Sequence, residues 1–231
     1  MRAYKLHFIR HGLTQANLEG TYIGQTDLSL SNQGFNNLKD LRKKYSYPSA
    51  ELVYTSPLKR CVQTAYQLYP EVEMKVVDEL SEYNFGDFEG KNYKELMEIP
   101  IFLKWLENSK EVAPPNGENS QEFCMRILKG ISKIFEHMVG NQIHSAAVVT
   151  HSGVITTLLT TIGLPRQEMD QSAVPDGTGF TVLLTPEMWQ RSGCFEIFEA
   201  IPYRNFDIED TYTDEQFAHD VMCNYDPEKE S

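Results

Sequence analysis

Three stretches of this chain, residues 5–10, 52–55 and 146–150, read as apolar runs without strict alternation, Phe8 and Ile9 being adjacent in the first, and are too short for helices. A strand with one wet face alternates apolar and polar residues, whereas a strand covered on both faces does not. These runs therefore predict a sheet sandwiched between two layers, which is the tightest constraint the sequence sets on the fold. Further β-rich runs at 74–77, 179–184 and 195–201 supply more strands.

Helical patterns fall between them. Ser31 is placed to cap a helix carrying Phe35, Leu38 and Leu41. Ser56 and Pro57 read as an N-cap and a first helical residue, where the missing proline N–H costs nothing. That helix runs through Val62, Ala65, Tyr66 and Leu68 and ends near Pro70. Asn119 with Glu122 has capping-box spacing. It opens a long helix with Phe123, Ile127, Ile131, Ile134, Phe135 and Met138 on one face. Ser152 opens another, which stops at Gly163 with Pro165 beyond. Strand alternating with helix predicts an α/β three-layer sandwich, its mostly parallel central sheet flanked by helices.

One domain spanning 1–231 is expected, with two departures from the rhythm. Residues 86–117 hold short amphipathic pieces (93–97, 101–106) and the turn Pro114-Pro115-Asn116-Gly117, and are expected to form an insertion covering the site. From about 202 an acidic tail keeps Tyr203, Phe206, Tyr212, Phe217 and Tyr225. So many aromatics predict that part of it docks, with a short helix after Thr213.

The formal net charge is −12. That argues against sequence-independent nucleic-acid binding and against docking on anionic membranes. No apolar run approaches the ~18 residues of a membrane span, and the first residues show no signal-peptide pattern. The cysteines (Cys61, Cys124, Cys194, Cys223) are far apart, as reduced thiols of a cytoplasmic protein are. Oligomeric state leaves no trace in the sequence.

In open α/β sheets, ligands bind beyond the carboxyl ends of the strands. Arg10 and His11 land there after the first run, His151 after the fourth, and Arg60 in the first turn of the Ser56-Pro57 helix. Helix N-termini at Ser56 and Ser152 add N–H donors. Guanidinium forks match phosphate oxygens, so this is a pocket for a tetrahedral dianion. A neutral imidazole is a competent nucleophile near pH 7. The leaving group then needs an acid, and Glu82, between apolar and aromatic neighbours, is placed for a raised pKa.

Taken singly, each of these residues is by default a solvated surface charge; their conjunction at strand ends reverses that. His7, His137, His144 and His219 lack such placement and read as structural or surface residues. Asp87 and Glu89 read as turn and helix-start residues, Cys61 as a small packed residue, Lys59 and Lys91 as solvated. Thr14 is placed to support the His11 loop through its hydroxyl.

Six blocks carry a resemblance: RHGLTQAN (10–17), GQTDLSLSNQG (24–34), YTSPLKRCVQTA (54–65), ELSEYNFGDFEG (79–90), PPNGENSQEFCMRI (114–127) and VVTHSGVI (148–155). In this order they resemble the histidine phosphatase superfamily, whose members include cofactor-dependent phosphoglycerate mutases. The resemblance implies His11 as phosphate acceptor. Arg10, Arg60 and His151 would bind phosphoryl oxygens, with Asn17 and the Ser152 N–H. Glu82 would protonate the leaving oxygen and then activate water. It implies no metal and no cofactor.

Within that resemblance a phosphatase acting on a small phosphorylated metabolite is expected. A mutase must hold a carboxylate and a second phosphate, and the family's mutases place an arginine pair in the insertion. Here the insertion offers Lys91, Lys94, Lys104 and Lys110, and apolar Tyr93, Leu96, Phe102 and Trp105. The Pro-x-Gly-Glu element resembles α-ribazole and broad-specificity phosphatases, which makes α-ribazole 5′-phosphate a candidate substrate. Two other readings are a non-catalytic module retaining the fold, and a metal site of His11, His151 and Glu82. The complete residue set opposes the first, and repulsion by Arg10 and Arg60 opposes the second.

Overall fold

Alternate side chains of each central strand enter two different cores. Leu6, Phe8, Tyr54, Ala146 and Val148 pack into one; Ile9, Val53, Ala147 and Val149 pack into the other. Both faces of these strands are dry, which is why their sequences do not alternate. The computed structural model describes residues 3–167 and 174–204. The expected helix after Thr213, the other tail aromatics beyond 204, His219 and Cys223 lie outside the described residues.

In chain order the elements are β1 (Tyr4–Arg10), α1 (Gln15–Leu18), α2 (Asn32–Lys44), β2 (Tyr45–Ser46), β3 (Leu52–Thr55), α3 (Lys59–Leu68) and β4 (Met74–Val76). There follow α4 (Tyr93–Met97), α5 (Pro100–Glu107), α6 (Ser120–Asn141), β5 (Ser145–Thr150), α7 (Ser152–Ile162) and β6 (Gly163–Leu164). The described part closes with β7 (Gly179–Leu184), α8 (Pro186–Ser192), β8 (Phe195–Ile201) and β9 (Tyr203–Arg204). The main sheet has the order β4-β3-β5-β1-β7-β8-β6. Its pairs are parallel at β4/β3, β3/β5, β5/β1 and β8/β6, and antiparallel at β1/β7 and β7/β8. The architecture is the expected mostly parallel α/β sheet with helices. β2 and β9 form a separate ribbon.

Local chemistry sets the helix starts. Ser31 accepts the Gly34 N–H at the head of α2. Asn119 and Glu122 form a reciprocal capping box at the head of α6, whose buried stripe includes all six predicted apolar residues. The Ser56 expectation is corrected. Helix α3 begins at Lys59, two residues later than a Ser56 cap requires, and Leu58 in the cap position supplies no side-chain bond. The orphan N–H of Lys59 goes instead to Asp27 Oδ1 at 2.7 Å, from a distant loop, and Ser56 is used elsewhere.

Helices α4 and α5 build a third, small core from Phe88, Leu96 and Phe102, packed by Tyr22, Phe85 and Trp105. No helix among the described residues is long and apolar enough to cross a membrane.

Candidate active site

Parallel registry places the strand ends together. Arg10 lies opposite Thr150, and Thr55 opposite Val149. The ladder continues one step further: the His11 N–H donates to Thr150 O at 2.9 Å and the Ser56 N–H to Val149 O at 3.0 Å. His11, Ser56 and His151 therefore emerge side by side at the carboxyl edge of the sheet. The two imidazoles face each other with ring centroids 5.2 Å apart.

His11 Nδ1 lies 2.7 Å from the Gly12 carbonyl oxygen. A carbonyl can only accept, so Nδ1 carries the hydrogen and Nε2 keeps its lone pair. The turn is pinned by the Gly12 N–H, which donates to Thr64 Oγ1 at 2.9 Å. Arg60 Nε donates to His11 Nε2 at 3.3 Å; its Nη2 and Nη1 donate to Gly24 O (2.6 Å) and Thr26 O (2.9 Å). Burial above all, then Arg60 and Arg10, hold His11 well below the ordinary imidazole range, against the opposing Gly12 bond. The ring is neutral at pH 7.

His151 Nε2 lies 2.9 Å from Ser56 Oγ, which is where the supposed helix cap is spent. Burial first, then Arg60, His11 and Arg10, keep this imidazole neutral too. Cys61 Sγ approaches His151 Nε2 at 3.4 Å; burial pushes its thiol far up, so it packs as a neutral group.

Glu82 Oε1 accepts the Tyr83 N–H at 2.8 Å and Oε2 the Gly153 N–H at 3.0 Å. A β-carbon on Gly153 would sit 2.4 Å from Oε1, so only glycine fits beneath this carboxyl. Burial raises the Glu82 pKa, opposed by those two hydrogen bonds and by Arg60 and Arg10.

Arg10 is ion-paired through Nε with Asp176 Oδ1 at 3.0 Å and donates from Nη1 to Val174 O at 2.7 Å. Asn17 Oδ1 accepts from the Thr14 N–H and hydroxyl at 3.0 and 2.7 Å, so the Thr14 hydroxyl serves the cap of α1 rather than His11. Ser152 is the first residue of α7, where a backbone N–H has no intrahelical acceptor.

A cleft of about 1170 Å³ opens on this edge. Arg10, Asn17, Glu82, Ser152 and Asp176 line one part of it, and Tyr22, Tyr83, Phe85, Trp105 and Phe123 another. Arg60, His11 and His151, at 2%, 6% and 0% exposure, are not part of its wall. All seven predicted site residues thus sit at one strand edge, four in the cleft wall and three buried and linked to one another. No group of three metal-ligating side chains is present among the described residues.

Sequence reasoning missed Asp176, the Ser56 hydroxyl, Gly153 as the seat of Glu82, and Glu89. The last is corrected from a turn residue: its carboxylate accepts the Gln25 and Thr26 N–H groups at 2.8 Å each and also the Thr26 hydroxyl. The only advance signal was the glycine two places after His151. His7 is buried as a structural residue between Thr181 Oγ1 (3.0 Å) and Ser145 Oγ (2.9 Å), and His137 bonds Tyr54 and Lys75.

The model of the histidine phosphatase superfamily (branch 1) matches residues 6–191. The chain belongs to that superfamily. It is 31% identical over 180 residues to the adenosylcobalamin/α-ribazole phosphatase of Escherichia coli K12, covering 75% of this chain and 86% of that one. It is 26% identical over 196 residues (78% and 91%) to a 2,3-bisphosphoglycerate-dependent phosphoglycerate mutase from Bartonella henselae. The crystal structure of α-ribazole phosphatase from Shigella flexneri has the same fold, with a TM-score of 0.71 at 24% identity over 89% of this chain and 100% of that one.

Proposed function

We propose that this superfamily member is a phosphatase that hydrolyses a small phosphomonoester through a phosphohistidine on His11. The observation carrying the reading is the His11 tautomer: Nδ1–H is committed to Gly12 O, leaving Nε2 as a neutral nucleophile beside a guanidinium. In the first step Nε2 attacks phosphorus, the ester P–O bond breaks, and the leaving oxygen takes the proton of Glu82. In the second, Glu82 as carboxylate takes a proton from water, whose oxygen attacks phosphorus and releases Nε2. Arg10, Arg60, Asn17, His151 and the Ser152 N–H hold the phosphoryl oxygens. Donors fixed in advance and aimed at developing charge lower the barrier without reorganising during the reaction.

The cleft favours hydrolysis over mutase chemistry. Arg10 and Lys110 are the cations in its wall, few for a ligand with two further anionic groups, and the aromatic part suits a leaving group with an apolar face. α-Ribazole 5′-phosphate, the substrate class named for the Escherichia coli relative, is the first candidate. The segment 86–117 acts as its cover within one domain. The three described cysteines are free thiols, which supports a reducing, cytoplasmic setting.

Trapping with radiolabelled substrate tests the mechanism. Wild type should give an acid-labile, base-stable phosphoenzyme, and His11→Ala neither label nor turnover, with EDTA leaving wild-type activity intact. Turnover by His11→Ala would overturn the reading.

A further inference from the structure

Arg126 lies outside the cleft wall, on the second turn of α6 with its guanidinium over the Phe123 ring, 5.2 Å from the centroid. Its Nε and Nη2 grip Glu118 Oε2 (3.1 Å) and Oε1 (2.6 Å). Its Nη1 donates to the carbonyls of Glu79 (3.0 Å) and Ser81 (2.8 Å), and Nη2 also donates to the carbonyl of Glu82 (3.1 Å). The five N–H groups of a guanidinium are thereby all engaged, three of them on the backbone that carries Glu82. Glu118 Oε1 also accepts the Asn84 N–H at 2.9 Å. One ion pair at the head of α6 thus clamps the chain on both sides of Glu82.

We propose that the Arg126–Glu118 pair positions Glu82 for proton transfer. The proposal rests on Glu82 being the acid. Three carbonyls turned toward one guanidinium fix the backbone at 79–82, so the Glu82 side chain leaves it toward the cleft and Gly153. Arg126 meets Glu82 at its carbonyl and not at its carboxyl, whose oxygens accept the Tyr83 and Gly153 N–H groups, so Arg126 works through placement. A lysine has three donors on a point charge and cannot span a bidentate carboxylate and three carbonyls. A misplacement of about 1 Å in a reacting group costs on the order of 10²-fold in rate.

A purely architectural ion pair would lower all activities alike. In the phosphoryl-transfer step, a positioning pair lowers only the activities that need the proton. kcat/KM, which reports phosphoryl transfer to His11 and not the later hydrolysis common to all esters, is therefore measured on p-nitrophenyl phosphate, whose leaving group departs without a proton, and on an alkyl phosphate, whose leaving group requires one. For Arg126→Lys and Glu118→Gln we expect a loss of about 10²-fold on the alkyl ester and less than about 5-fold on the aryl ester. Added guanidinium should partly restore the alkyl activity of Arg126→Ala. Equal losses on both esters, or no loss on either, would overturn the proposal. If Arg126 variants do not fold, Glu118→Gln decides alone. Glu82→Gln is run beside them. If it shows no ester selectivity, the reading of Glu82 as acid falls; if it does and the pair's variants do not, only the positioning role falls.

Discussion

Arg60 Nε sits 3.3 Å from His11 Nε2, the ring atom that the Gly12 bond leaves without a hydrogen. In the proposed mechanism the guanidinium occupies the nucleophile's lone pair until a phosphoryl group displaces it. Its other two arms hold the carbonyls of Gly24 and Thr26, and Glu89 holds the same loop by its N–H groups. Lysine, with its three donors on one nitrogen, cannot span acceptors this far apart. Arg60→Lys is expected to lower kcat by about 10²- to 10³-fold, as loss of a transition-state donor does. Glu89→Gln, which loosens the loop without removing the fork, should cost roughly tenfold on the same scale. Steady-state kinetics check both, and a loss below tenfold for Arg60→Lys would separate it from the transition state.

Gly153→Ala places a β-carbon 2.4 Å from Glu82 Oε1. Either the carboxyl or the head of α7 must move, and the Gly153 N–H bond to Oε2 is strained with it. Overpacking of this kind costs about 1–3 kcal/mol, read as a lower unfolding midpoint. kcat/KM on alkyl phosphates should fall more than kcat/KM on p-nitrophenyl phosphate. Retention of both at wild-type level would mean that the carboxyl can act from another position.

Much of the frame is legible in the residues, and the reason is that its signals are local. The doubly buried strands, the Ser31 and Asn119 caps and the α6 stripe each announce themselves within one element. What escaped reading is polar and long-range. Ser56-Pro57 obeys a helix-start rule, yet its hydroxyl serves His151, 95 positions on. Glu89 reaches back 63 and 64 positions to the 25–26 loop, and Asp176 meets Arg10 across the sheet edge. No periodicity marks such partners. The strands β2, β6 and β9 are two residues each, too short to carry a pattern.

The proposed mechanism needs His11 neutral and Glu82 protonated. Burial lowers the first pKa from 6.5 and raises the second from 4.5, so the shifts bring both required forms into coexistence on the acid side of neutrality. As pH rises through the Glu82 value, the acid is lost and rate falls; as it drops through the His11 value, the nucleophile is lost. A bell-shaped kcat/KM profile with its maximum below pH 7 is expected. In Glu82→Gln the alkaline limb of the profile should disappear while the acid limb stays. Persistence of the alkaline limb would assign it to another group.

Trp105 donates from Nε1 to Tyr83 OH at 3.1 Å and packs edge-on against that ring, centroids 6.1 Å apart, in the aromatic part of the cleft. An apolar leaving group docking there would lose its contact in Trp105→Ala. We expect KM for aryl and nucleoside-like phosphates to rise about tenfold, of order 1–2 kcal/mol for one aromatic contact, with KM for glycerol phosphate changed less than twofold. Equal changes for both would place the leaving group elsewhere.

His7 is held between Thr181 and Ser145, and burial, with a smaller push from Lys5, lowers its pKa from 6.5 to about 4. The unfolded chain therefore binds a proton between those values while the fold refuses it. Stability from this residue is full above pH 6.5, falls as pH drops toward 4, and levels beyond. The total is on the order of 3 kcal/mol. His11 and His151 shift in the same direction and steepen the fall. Glu82 and Asp176, raised by burial, act oppositely: the fold keeps their protons, so their contribution is lost as pH rises through their folded values. Isolating His7 requires a neutral replacement that can still bond both hydroxyls. Urea unfolding of wild type and His7→Gln at pH 7 and pH 4.5 provides it. The wild type should lose about 2 kcal/mol more than the variant between the two pH values. Parallel losses would mean that His7 takes up its proton within the fold at an ordinary pH, and that the two hydroxyls tolerate the charge.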